Sequence, residues 1–197
     1  MALTTYAELQ AEIADWLNRS DLTARIPTFI VLAEAELNQH IVENKMETTA
    51  SIALTNGEGT LPDDCLDVIS VVVANHVIEP MTDRQADQFV SATHAYGVTV
   101  SGTTLRVLGG TSDTATVRYR QKVPALSDSN TSNWVLASHP NAYLYGALAH
   151  AEAFLVNDDR VPMFKREFAA AIQAISFRDI ARQVHQAALT SAVGVGI

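Results

Sequence analysis

Apolar residues recur at helical spacing in the first and last thirds of the chain and at every second position in between. Near the start, Tyr6, Leu9, Ile13, Trp16 and Leu17 define one helical stripe, and Thr5 followed by Glu8 has the spacing of a capping box. Asn18-Arg19-Ser20-Asp21 interrupts it. A second helix is predicted from Pro27, because a proline's missing N–H costs nothing in a first turn. Its stripe is Ile26, Phe29, Ile30, Ala33, Leu37 and Ile41, and Glu34, Gln39 and Glu43 are expected on the opposite face.

From about Thr48 to Asp128 the period falls to 2. Ser51–Thr55 reads as a short strand followed by the turn residues Asn56-Gly57. Val68–Ala74 is a strand apolar on both faces, and Ala74-Asn75-His76 turns it back into Val77-Ile78-Glu79. Thr82 starts a short helix reaching Phe89. Gly97–Ser101 and Thr104–Leu108 pair as a hairpin about Gly102. In Thr114–Val123, Ala115, Val117 and Tyr119 share one face, while Arg118, Arg120 and Lys122 share the other. Helical spacing returns at Pro140 with a segment apolar almost all round through Leu155, which must be enclosed by its own domain or by neighbouring subunits. Trp134, just before it, is expected to bury its ring against the C-terminal helices. After Asn157-Asp158-Asp159 a longer helix carries Phe164, Phe168, Ile172 and Ile175, with Arg178, Arg182 and His185 near its end.

The expected fold class is therefore α+β, with terminal helices forming a helical bundle around a small antiparallel β-rich insertion. As a single domain of 197 residues it divides into N-terminal helices (1–48), the insertion (49–128), C-terminal helices (139–186) and a tail arm (187–197).

Composition excludes several function classes. With 18 % charged residues the chain has less surface suited to water than most soluble domains, which points to an oligomer. A net charge of −9 is the wrong sign for gripping nucleic acid or an anionic membrane. Residues 1–48 hold 3 basic and 8 acidic groups, whereas 139–197 are balanced. The single cysteine, Cys65, rules out an intrachain disulfide and reads as an inert buried thiol. The start has neither the basic nor the apolar region of a signal peptide, and no apolar run is long enough for a membrane span, so a soluble, reducing compartment is expected.

Candidate chemistry is sparse. The six histidines show no ligand spacing, and His150 and Glu152 would point to different sides of a helix. No GxSxG elbow anchors a nucleophile, and neither Gly57-Glu58-Gly59 nor Gly109-Gly110 has the context of a phosphate loop. Asp63-Asp64 and Asp158-Asp159 read as turn and helix-start residues. The basic row Arg118, Arg120, Lys122 is the one patch suited to DNA or an acidic partner, and it equally suits the wet face of a strand. No catalytic, cofactor-binding or metal residue is assigned, and no enzyme signal is found.

Three segments taken together are informative: TTYAELQAEIADWLNRSDLTARIPTFIVLAEAEL, LPDDCLDVISVVVANHVIEPMT and VRYRQKVPALSDSNTSNWVLASHPNAYLYGALAHAEAFLV. Tyr119, Pro124-Ala125-Leu126-Ser127, Asn133-Trp134-Val135-Leu136, Pro140 and Tyr143-Leu144-Tyr145-Gly146-Ala147-Leu148 follow the order found in the head-to-tail adaptor (connector) proteins of tailed bacteriophages, and the chain resembles that family. The basic character of the Tyr119 strand departs from it. The resemblance implies a structural virion protein of the neck, made in the host cytoplasm. It would form a homo-oligomeric, dodecameric ring that binds the portal protein and a tail or nozzle protein. Genomic DNA would pass through the ring without specific binding, with no cofactor and no membrane. It points to Arg178, Arg182, His185, Leu189, Val193 and Ile197 as partner-binding residues, with Arg118 and Arg120 on the basic strand as the second choice. The rival readings are another neck component, such as a head-completion or tail-terminator protein, and a small cell-wall hydrolase.

Overall fold

The computed structural model describes residues 3–41, 43–78, 80–86, 97–109, 114–156 and 159–176. It is an α+β fold whose chain divides into two compact units, one of residues 1–44 with 123–197 and one of residues 45–122.

The first unit is helical. α1 (Tyr6–Leu17) opens with the expected capping box, in which the Thr5 hydroxyl accepts from the Glu8 N–H and the Glu8 carboxylate accepts from the Thr5 N–H. It ends at Asn18 in the left-handed conformation. α2 (Ile26–His40) carries Pro27 in its first turn and buries the predicted stripe. α4 (Trp134–Ser138) and α5 (Pro140–Phe154) follow the return from the second unit, and a further helix, α6, is described over 161–176. The almost wholly apolar α5 is enclosed by its own unit. Ala142, Tyr143, Ala147, Leu148 and Ala151 have no exposed surface. Its neighbours approach so closely that a Cβ on Gly146 would meet the Ala33 Cβ and the Phe168 ring, each at 2.9 Å. Trp16, Tyr145 and Phe164 form an aromatic cluster joining α1, α5 and α6, with ring centroids 6.1–6.4 Å apart.

The second unit contains two antiparallel sheets. β1 (Glu47–Ala53), β7 (Thr114–Gln121), β3 (Cys65–Val73) and β4 (His76–Ile78) pair in that order, and β2 (Glu58–Thr60), β6 (Thr104–Leu108) and β5 (Gly97–Ser101) form the other sheet. The short α3 (Asp83–Ala86) begins where Thr82 predicted a helix, and its expected extension to Phe89 lies outside the described residues. The inward residues of both sheets, among them Ile52, Val71, Val98, Leu105, Val107 and Val117, make one apolar cluster. Asn56 and Gly57, both at positive φ, form the expected turn between β1 and β2.

Several expectations need correction. Glu34 and Glu43 are buried, not on the wet face of the second helix. Position 34 lies one turn from both Ile30 and Leu37, so its carboxylate sits on the inner stripe and finds hydrogen-bond donors there. Trp134 is only half-buried, because Asn133 caps α4 in an orientation that turns Val135 and Leu136 inward instead. Cys65 is likewise half-buried, at the open end of β3.

Candidate functional site

Between β7 and α4 the chain runs as a strap, residues 123–133, over α1, α2 and α5. A strap without secondary structure must find partners for its own backbone groups. The Val123 N–H donates to Asn38 Oδ1 at 2.8 Å, and the Leu126 N–H donates to Glu34 Oε1 at 2.7 Å. The Tyr6 N–H, left free by the start of α1, donates to the Thr131 carbonyl at 2.7 Å. Pro124, between Val123 and Leu126, has no N–H and so adds no donor to be matched.

A buried polar relay locks the strap to the bundle. Asn133 Nδ2 donates to the Pro124 carbonyl at 2.7 Å and to the Tyr143 hydroxyl at 2.6 Å. That hydroxyl donates to Glu34 Oε1 at 3.1 Å, while Asn133 Oδ1 caps α4 by accepting from the Leu136 N–H at 2.9 Å. Burial pushes the Glu34 carboxyl above its ordinary value, and the bonds from Leu126 and Tyr143 offset part of that rise. Burial and the adjacent Glu34 charge push the Tyr143 phenol far up, so the hydroxyl stays protonated and remains a donor. The relay is positioning chemistry: it fixes the strap on the bundle and sets where the chain enters the C-terminal helices. Its members could be found in the sequence only as polar residues at the edges of apolar runs.

The basic row of β7 is locally matched. Arg118 Nε lies 3.9 Å from the Glu47 carboxylate, and Arg120 Nη1 lies 3.4 Å from Asp67. Lys122 Nζ donates to the Asp63 carbonyl at 3.0 Å. Cross-strand register accounts for one pair, since Asp67 lies opposite Arg120. On the inner face of the same strand, the Tyr119 hydroxyl donates to Asp64 Oδ1 at 3.1 Å.

Each unit has a groove. In the second unit, about 410 Å³ of open volume is bordered by Asp63, Cys65, Asp67, Met81, Val100 and Lys122. Burial, together with the charges of Asp64 and Asp67, pushes the Cys65 thiol up, away from nucleophilic character. In the first unit a groove of about 640 Å³ runs between α2 and α6. Among the described residues no cluster of three or more His, Cys, Asp or Glu side chains could hold a metal ion, and no helix is long and apolar enough to cross a membrane. Of the residues singled out from the sequence, Arg118 and Arg120 stand near one another on β7. Arg178, Arg182, His185, Leu189, Val193 and Ile197 lie outside the described residues.

No curated protein matches the chain. A family model described as SU10 adaptor protein matches residues 4–193, and with nearly the whole chain covered, this protein belongs to that family of phage head-to-tail adaptors.

Proposed function

We propose that this phage structural adaptor forms a dodecameric ring in the virion neck, beneath the portal, where it extends the DNA channel and offers a platform to the tail or nozzle protein. The observation that carries this reading is the family match over residues 4–193. The electrostatics support it. A subunit of net charge −9 lining a conduit repels phosphates rather than holding them, so DNA passes without specific binding. The arginines of β7 do not oppose this, because Arg118 and Arg120 stand beside the carboxylates of Glu47 and Asp67.

Docking on the portal is assigned to the C-terminal segment, with Arg178, Arg182 and His185 preceding an uncharged tail from Ala187 to Ile197. Free subunits are monomeric or weakly associated, and the ring forms on the portal, which presents many sites at high local concentration. The test is co-sedimentation and negative-stain imaging of the protein with portal rings of the same phage. Wild-type protein should add a ring to the portal, and the chain lacking residues 187–197 should fold but fail to co-sediment. Unchanged binding of the truncated chain would move the docking surface to Arg118 and Arg120. Absence of any ring with wild-type protein would overturn the reading.

A further inference from the structure

A ring closed by head-to-tail contacts needs two unlike faces on every copy. The first unit carries an exposed apolar face and a groove. α2 leaves Val31 55 % and Leu32 45 % exposed, flanked by exposed Thr28 and Ala35. Between Pro27 and Ala35 the only charged residue is Glu34, and it is turned into the core. The outer ridge of α2 is thus uncharged, whereas a helix facing water ordinarily puts its charged residues there. The groove lies between α2 and α6, with Phe168, Ala169 and Ile172 as its apolar lining and Glu36, His40 and Lys165 among its polar groups. Val31 and His40 are nine positions apart. At about 100° per residue that sets Val31 opposite His40, while Leu32 lies one turn from Glu36, so ridge and groove occupy different but adjoining faces of α2.

We propose that the α2 ridge of one copy of this chain seats in the α2–α6 groove of the next, making this pair of faces the subunit contact of the ring. The proposal rests on the ring reading above and names its contact. Charge argues for a second copy as the occupant. At a net charge of −9 two copies repel each other over most of their surfaces, and they approach at least cost through uncharged or oppositely charged ones. The ridge is uncharged, Arg25 at its start is opposite in sign to Glu36 at the groove, and Lys165 is opposite in sign to the acidic 1–48 segment. A helical ridge entering an apolar groove is also an established mode of recognition.

The test mixes two single-cysteine chains, Val31→Cys and Ala169→Cys, each in a Cys65→Ser background, binds them to portal rings and oxidises them. A disulfide requires Cα atoms within about 7 Å, so linkage reports direct contact. Dimers linking the two chains are expected, with a ladder of linked copies when both cysteines are placed in one chain. Rings that form without linkage would overturn the proposal and leave the ring reading standing. Linkage of Val31→Cys to itself would indicate a two-fold α2 contact and overturn it. Failure of the wild-type chain to form rings would remove both readings together. As a second measurement, Val31→Glu should keep the melting temperature of the free subunit, because the site is exposed, and lower ring yield about ten-fold or more. Undiminished ring yield would overturn the assignment.

Discussion

Tyr143 has one buried hydroxyl and two neighbours that use it, Asn133 as donor and Glu34 as acceptor. Tyr143→Phe keeps the ring's packing and leaves both neighbours one bond short. The expected cost is about 1–3 kcal/mol, read from the urea midpoint. Glu34 adds a pH dependence whose sign follows from its raised carboxyl pKa. The folded state favours the protonated form, so this contribution is fully present below the unfolded-state value and is lost as pH rises through the higher folded value. Glu34→Gln can still accept from the Leu126 N–H and has no charge to bury. Its stability relative to wild type should therefore increase between about pH 4 and pH 7. A constant difference across that range would show that Glu34 does not titrate within it. Glu34→Ala, by contrast, should destabilise at both pH values, because it strands the Leu126 donor.

At the scale of elements, α2, α5 and α6 approach closely at Gly146. An alanine there favours the helix by about 1 kcal/mol in propensity but forces its Cβ against Ala33 and Phe168. Overpacking of this kind costs about 1–3 kcal/mol, and neither neighbour can rotate freely out of the way. The net expectation for Gly146→Ala is a lower melting temperature of the isolated protein. The β3–β4 turn offers the opposite sign. Ala74 and Asn75 both have positive φ, which a hairpin of this kind requires and which an alanine side chain disfavours. Ala74→Gly should stabilise by about 0.5–1 kcal/mol, seen as a higher urea midpoint with unchanged slope.

For the whole molecule the distribution of charge is the controlling quantity. Arg118 and Arg120 stand on a wet strand face beside acids of neighbouring strands. Exposed pairs of this type contribute about 0–1 kcal/mol each, so the double variant Arg118→Ala, Arg120→Ala should melt close to wild type. With portal docking assigned to the C-terminal segment, the same variant should also co-sediment with portal rings as wild type does. Loss of co-sedimentation without loss of stability would make the β7 row a partner surface. The strap at 123–133 follows β7 in the chain and precedes α4. Single hydrogen bonds hold it, it sets where the C-terminal helices begin, and those helices lead to the segment proposed to meet the portal.

The alternation of Ala115, Val117 and Tyr119 against Arg118 and Arg120, the Thr5–Glu8 cap and the Asn56-Gly57 turn were legible in the sequence, because each depends on local geometry within a few residues. The helical stripe of α2 and the switch of period near Thr48 were legible for the same reason. The order of Pro124, Asn133, Pro140 and Tyr143 also pointed to the family. Local pattern could not place Glu34, because an acid between apolar residues is turned outward or inward by what meets it, and Tyr143 and the Leu126 N–H come from residues about a hundred positions away. Sequence separation likewise hid the matching of Arg118 and Arg120 by Glu47 and Asp67. Burial is a property of the packed chain. A residue's own chemistry sets what burial costs, and only the tertiary fold decides which residues are buried and which partners they meet.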